Sequence, residues 1–391
     1  MIVILGFCVS NYTALHQHEK NNTNAQKFKS RECSNKLSKN WNIQDKKYRD
    51  LKSFIANHIQ PKSVLLIEFN SCHHECLPGY AKYFLDLGYH IDVLLPKGHE
   101  DCFDLLESKN KLDIYTFEDH REIYDNKLIL QSLMDKYDNI FLNSIESYNS
   151  NKISNDLDLF NNPRTIGVAH NTKTAKSIKL RKLLNSKKVV TLGKFDIGTY
   201  INPHYFGEIE NHVKNIKTTF IVVGNIQSFR KNHDSLIYAI KELKKRNLKF
   251  KVVVGGRYGK LEIPEEIKKY IDFKGQLSYK EMYKELKNSD YFLPLLDPRN
   301  NKHLKYKQSQ VTGSAQLCYG FSKPTLIAEE FSEFYGFDSK NSIIYKNDLA
   351  SAMEKAINCN NKNYQIMRTN LEYLSKNIFK ESLNNLKTIV K

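Results

Sequence analysis

The 391-residue chain has no long apolar run: Ile2 to Val9 and Val64 to Ile67 are its longest, far short of the roughly 20 residues a membrane-spanning helix needs. The N-terminal run also has no basic flank and is at the short limit for a secretory leader, so a buried strand or a weakly ordered start is the simpler reading of its letters than a leader or anchor. Cysteine is sparse and odd in number, seven scattered residues, which is the usage of reduced thiols rather than a disulfide framework. A reducing, cytoplasmic setting follows, and the sequons at Asn11 and Asn21 then carry no meaning. Glycine and proline, at 16 and 9 residues, are too few for a collagen-like chain, while 40% hydrophobic residues are too many for a disordered one.

Acidic residues are also in deficit, 43 against 60 lysines and arginines, which leaves a net charge of +17. Such a surplus draws polyanions: nucleic acid, anionic lipid or phosphorylated substrates. No arginine-rich arm or RNA-binding motif stands out, so nucleic acid is not the expected partner. The lysines of 241–249 and 280–287 alternate with acids and read as solvated helix faces.

What is present is an alternation of strands and helices, twice over. Residues 1–60 form an extension: 11–40 are polar without period, and Tyr48, Leu51, Ile55 and Ile59 place one amphipathic helix over 41–59, ending before Pro61 and suited to docking on the next domain or on a membrane surface. Val64 to Ile67, a polar loop, a Pro78-Gly79 turn, a helix over 80–87 and a strand over 90–95 make a βαβ unit with parallel strands. Strands at 114–117, 139–142, 165–168 and 188–192 complete an α/β domain over 61–210. The alternation restarts with strands at 219–224, 250–256, 270–273, 291–295 and 324–328, giving a second domain over 211–360 and a terminal helix in 361–391. Two such halves place a cleft between the carboxyl ends of two parallel sheets, where ligands of these folds bind.

Several residues stand where that cleft is expected. Arg230 and Lys231 follow the strand ending at Gly224, within reach of an anionic ligand, although a chain this basic carries such pairs by composition as well. Thr312-Gly313-Ser314 opens a helix, whose first N–H groups either bind phosphate or are simply capped by Thr312 or Ser314. His170 closes the strand at 165–168, either as a site residue or as a cap on a carbonyl. Cys72-His73-His74-Glu75-Cys76 lacks a second Cys/His pair and so lacks the spacing of a structural zinc site.

The ordered series Phe220–Gly224 with Arg230-Lys231-Asn232, Val252–Gly256, Ile271–Gly275, Ser289–Pro294, Ser322–Ala328 and Asp348–Ile357 resembles the nucleotide-sugar-binding domain of GT-B glycosyltransferases, family 4 above all. Val64–Ile67, Pro78-Gly79 and Gly88–Leu95 resemble that family's opening unit. The resemblance implies a GT-B architecture of two Rossmann-like domains, with the acceptor on the first and the donor on the second, and a terminal helix returning to the first. It implies donor contacts from Gly79, Gly224, Arg230, Lys231, Gly275, Thr312, Gly313 and Ser314, acceptor contacts from His73, His74 and Glu75, and a catalytic role for His170. The family's paired glutamates fall near Ser309 and Leu317, neither acidic; Gln308 and Gln316 beside them, Gln316 above all, are the substitutes for sugar or ribose contact.

The implied activity is transfer of a sugar from a UDP- or GDP-linked donor to a glycan or lipid-linked acceptor, without metal or other cofactor, in the cytoplasm and peripherally on an anionic membrane face. Two other readings stand beside it: a non-catalytic basic module on the same scaffold, and another sugar-nucleotide enzyme such as an epimerase.

Overall fold

The computed structural model describes residues 48–107, 110–175, 181–225, 230–256 and 263–390. Residues 11–40 and the first part of the helix expected over 41–59 lie outside these. The rest of that helix is corrected: Arg49–Asp50 is a short strand, β1, and the helix is only Leu51–Ile55. The Asp50 carboxylate accepts the Ser53 N–H at 2.9 Å and so starts the helix late. Leu51 and Phe54 are buried, and Ile55 and Ile59 pack beside them on the first sheet. The apolar spacing therefore marked a docked face, served by a short helix and an extended exit.

The first sheet continues with β2 (Ser63–Ile67), β3 (His90–Pro96), β4 (Leu112–Phe117), β5 (Asn139–Leu142), β6 (Thr165–Ala169), β7 (Val189–Thr191) and β8 (Thr199–Tyr200). Its order is β1-β4-β3-β2-β5-β6-β7-β8, and every pairing is parallel. The strands are apolar on both faces because helices cover both. Leu65 and Ile67 enter one core, Val64 and Leu66 the other. Strand order reverses at β2, between β3 and β5, so a crevice opens over the carboxyl ends of β2, β5 and β6.

The second lobe repeats the scheme with β9 (Thr218–Val223), β10 (Phe250–Gly255), β11 (Ile271–Gly275) and β12 (Tyr291–Phe292), all parallel in the order β11-β10-β9-β12. The strand expected over 291–295 stops at Phe292, since Pro294 has no N–H to donate and Leu295 has a φ of 55°. A bridge from Phe292 to Thr325 leads on to the pair β13 (Leu326–Ala328) and β14 (Ile343–Tyr345). Here too the order reverses, at β9.

Two features join the lobes. The helix Asn361–Lys387 buries Tyr364 and Met367 in the core of the second lobe, and Leu386 in a core of the first. Along it, the Ser382 hydroxyl accepts the Asn202 N–H at 2.9 Å, and Asn385 donates to the Tyr200 carbonyl at 2.8 Å. The linker itself is gripped by two glycines. Gly79 lies inside the helix Leu77–Asp86, where a Cβ would stand 2.5 Å from the Pro203 carbonyl, and at Gly320 one would stand 2.2 Å from the His204 carbonyl. The turn expected at Gly79 is thus corrected to a helix packed closely on the linker.

Candidate active site

Each strand at the first crevice ends in a polar residue, and these residues bind one another. Glu68, just past β2, is fully buried. Its carboxylate accepts from Asn70 N and Nδ2, both at 2.8 Å, from Asn143 Nδ2 at 2.7 Å and from Ser144 Oγ at 2.7 Å. Burial pushes its pKa up to about 7, and the four donors pull against that rise. Asn143 and Ser144 follow β5. The Asn143 side chain also donates to the His73 carbonyl at 2.9 Å, which holds His73 at a φ of 71°, and its own carbonyl accepts His170 Nε2 at 2.7 Å.

His170 follows β6 and stacks on His73, with 3.7 Å between ring centroids and 23° between planes. His73 Nδ1 meets Ser144 Oγ at 3.3 Å. Since the Ser144 hydroxyl donates to Glu68, it accepts from His73, so the Nδ1 of His73 carries the proton and Nε2 bears the lone pair. Burial, and next the positive charge of Arg230, lower the pKa of His73 to about 4; burial and then His73 hold that of His170 well below its ordinary value. Both rings are neutral at pH 7. Glu146 lies beneath, accepting the Asn171 N–H at 2.8 Å, with a pKa that burial raises to about 7.

Of the acceptor residues expected from sequence, His73 and Glu75 are partly exposed at the lobe junction. His74 is corrected: it is fully buried and stacked on His99 at 4.0 Å, so it supports the loop from behind. Among the described residues no group of three His, Cys, Asp or Glu is placed to hold a metal ion.

On the second lobe, the ends of β9, β10 and β11 converge through glycine. Gly224 N donates to the Gly255 carbonyl at 2.8 Å and Gly256 N to the Gly275 carbonyl at 2.7 Å. Gly256, at a φ of 144°, lies so close that a Cβ would stand 2.3 Å from the Gly224 carbonyl. Gly275 ends the edge strand at a φ of 70°. Arg230 is exposed and its charge acts on His73 across the junction, and on Lys231 and Lys305. Lys231 is buried below it; its ammonium donates to the Pro294 carbonyl at 3.2 Å, and burial lowers its pKa to about 8.

The helix Gly313–Gly320 begins at a side-chain cap from Thr312. Thr312 Oγ1 accepts the Ser314 N–H at 3.4 Å, a long cap. Gln316 is almost fully buried and its Nε2 has no hydrogen-bond partner among the described residues, while its Oε1 would lie 3.8 Å from a Cβ on Gly313. An unmet amide beside a helix start is what a bound anion or hydroxyl would satisfy.

The two lobes touch around this centre. Thr172 N donates to the Ser309 carbonyl at 2.9 Å, Asn171 pairs with Gln310 as an antiparallel bridge, and Tyr279 donates to Glu75 at 3.2 Å. A cavity of about 320 Å³ opens beside the bridge, lined by Thr172, Lys173, Lys194, Lys307 and Gln308 among others. Sequence reading missed Glu68, Asn143 and Ser144. Their only signal was a polar residue after each strand end at the switch point.

With two Rossmann-like lobes, a cleft at both switch points and a terminal helix spanning them, the chain has the GT-B fold. Solved structures bear this out. TarM matches with a TM-score of 0.52 at 10% identity, over 83% of this chain and 99% of that one. The Anabaena protein HepE, solved with UDP-glucose, matches at 0.52 and 13%, over 84% and 99%. AviGT4, a glycosyltransferase involved in avilamycin A biosynthesis, matches at 0.51 and 11%, over 84% and 97%. No protein-family model and no curated protein matches the chain.

Proposed function

We propose that this protein is a glycosyltransferase that moves a sugar from a nucleoside diphosphate donor, UDP- or GDP-linked, to a hydroxyl of a glycan or lipid-linked acceptor. The observation that carries this reading is that Arg230, on one lobe, lies near enough to the His73–His170 stack on the other for its charge to act on His73. As the glycosidic bond breaks, negative charge grows on the leaving diphosphate, and stabilising it requires cationic or N–H groups already in place. Arg230 offers a fork-shaped donor, Lys231 adds positive charge from below, and the helix start offers N–H groups. These groups do the work that a divalent ion does elsewhere, so the donor needs no metal here.

The close-packed glycines Gly224 and Gly256 leave backbone, not side chain, against the nucleotide. Gln316 takes a ribose or sugar hydroxyl with its unmet amide, in place of the missing glutamates. The acceptor enters past His73 and Glu75, and the lysine-lined cavity at the bridge has room for part of it. Support for work at an anionic membrane face, on the cytoplasmic side, comes from the net charge of +17 and from Leu128, Ile129 and Tyr148, exposed by 79%, 52% and 67% on the first lobe.

Similar structures point the same way: HepE was solved with UDP-glucose, and a S. aureus TarM variant with UDP and alpha-GlcNAc-glycerol. Release of nucleotide from a panel of UDP- and GDP-sugars in EDTA tests the proposal. Steady release from one donor, strongly slowed by Arg230→Ala, supports it; no release from any donor, together with salt-sensitive binding to anionic vesicles, supports a binding module instead.

A further inference from the structure

Beside the lobe bridge, the cavity of about 320 Å³ gathers three lysines from three separate segments of chain. Lys173 follows the exit of β6, Lys194 follows the exit of β7, and Lys307 stands on the helix Asn301–Gln308 of the second lobe. Two of the ammonium groups are held by partners that do not line the cavity. Lys194 pairs with Glu381 of the terminal helix at 2.8 Å, and Lys307 donates to the Glu330 carbonyl at 3.0 Å. Each keeps N–H groups to spare. The Lys173 ammonium forms no hydrogen bond or ion pair with the described residues. Asp196 is the single carboxylate among the described residues of the wall.

Resting on the glycosyltransferase reading, we propose that this cavity is the subsite for a phosphate group carried by the acceptor. Three ammonium groups against one carboxylate leave a surplus of positive charge in a space between two lobes, where an anion is attracted more strongly than on an open surface. Lysine binds phosphate as a point charge on a flexible stem, which suits convergence from three segments. Arg230, Lys231 and Gln316 do not line this space, so the phosphate it takes is not the donor's.

The position of the cavity says where that phosphate lies in the acceptor. β6 and β7 are neighbours in the first sheet, and the crevice opens over the carboxyl ends of such strands. Thr172, on the cavity wall, comes two residues after His170, a span of at most about 7 Å of chain. Its N–H is fixed to the Ser309 carbonyl of the other lobe at 2.9 Å. The hydroxyl that receives the sugar near the His73–His170 stack and the phosphate in the cavity therefore belong to one small unit of the acceptor. Since Lys307 comes from the second lobe, the subsite is complete only with the lobes in contact, as they are at the Asn171–Gln310 bridge.

The test uses the full chain saturated with the nucleoside diphosphate that stabilises it, so that the donor site does not take up the probe. Calorimetric titration with glycerol 3-phosphate, glycerol, glycerate and phosphatidylglycerol in detergent then reads the cavity. Glycerol 3-phosphate should bind, more weakly as salt is raised, and glycerol and glycerate should not. Tighter binding of phosphatidylglycerol would place the phosphate in a lipid headgroup, and tighter binding of glycerol 3-phosphate in a soluble acceptor. Lys173→Gln/Lys307→Gln should weaken glycerol 3-phosphate about 10–100-fold, the scale of lost charge-assisted contacts. Lys173→Arg/Lys307→Arg should keep most of the affinity, and Lys136→Gln, outside the cavity, should keep all of it. No binding by either phosphate probe, equal binding of glycerate, or an undiminished affinity in the double glutamine variant overturns the subsite while leaving the donor site standing. Failure of every nucleoside diphosphate to bind the wild type would overturn the glycosyltransferase reading, and this inference with it.

Discussion

The imidazoles of His73 and His170 lie face to face at 3.7 Å, one carried on the loop after β2 and the other at the end of β6. Both hydrogen-bond to the β5 exit, His73 through Ser144 and His170 through the Asn143 carbonyl. One short stretch of chain therefore sets both ring planes and both tautomers.

Acid should break this pair. His73 has a folded pKa of about 4 against an ordinary value of 6.5, and His170 shifts the same way, so between those values the unfolded chain binds more protons and stability rises with pH. Glu68 and Glu146, raised to about 7, act in the opposite sense between 4.5 and 7. The difference between wild type and His170→Gln isolates the histidine. In urea melts at pH 7.5, 6 and 5, wild type should lose stability relative to the variant as pH falls below 6.5, by up to about 1.4 kcal/mol per pH unit.

Lys323 gives a second, alkaline signature. It is buried, donates to the Lys287 carbonyl at 3.0 Å, and burial lowers its pKa to about 7, with Arg368 adding to the shift. A lysine depressed in the fold destabilises below its folded pKa, and that cost is relieved as pH rises toward 10.5. Wild type should therefore gain stability relative to Lys323→Met between pH 7 and 10, read by denaturant unfolding at both values.

Gly79→Ala and Gly320→Ala should each destabilise by about 1–3 kcal/mol, because the added methyl meets backbone of the 203–206 linker rather than a side chain that can turn away. A melting-temperature comparison checks this. Gly98→Ala is the control for the added methyl: its φ is 88°, but nothing lies within 4 Å, so only the backbone strain of about 1 kcal/mol remains.

Arg230→Ala should lower kcat/KM for the donor about 10²–10³-fold, the scale of one lost donor to developing charge. Arg230→Lys should recover only part of it, since the ammonium cannot fork. Both follow from nucleotide-release kinetics.

Much of the architecture was legible because strands buried on both faces are continuous apolar runs: Val64–Ile67, Phe220–Val223 and Val252–Val254 are visible as letters and are strands in the fold. The 41–59 helix was misread because a 3.6-residue spacing cannot show where Asp50 starts a turn or where β1 pairs with β4. Gly79 was read as a turn after Pro78, yet proline is tolerated in the first turn of a helix, and the cause of the glycine is Pro203, 124 positions away. His74 and His73 are adjacent letters with opposite fates, one stacked inward on His99 and one turned to the junction. Glu68 was invisible for a similar reason. Its donors come from Asn70, Asn143, Ser144 and Ser150, and only the strand order brings these together.

The donor cleft is the central claim, and thermal stabilisation by UDP, GDP and ADP in EDTA tests it most directly. A nucleotide at about 100 times its Kd stabilises by roughly 2.7 kcal/mol, a melting shift of a few degrees. The account expects one diphosphate to stabilise wild type and to lose its effect in Arg230→Ala and in Gly256→Ala, whose methyl would enter the Gly224 turn. No shift with any of the three, or an undiminished shift in both variants, would contradict a donor site at the ends of β9 and β10.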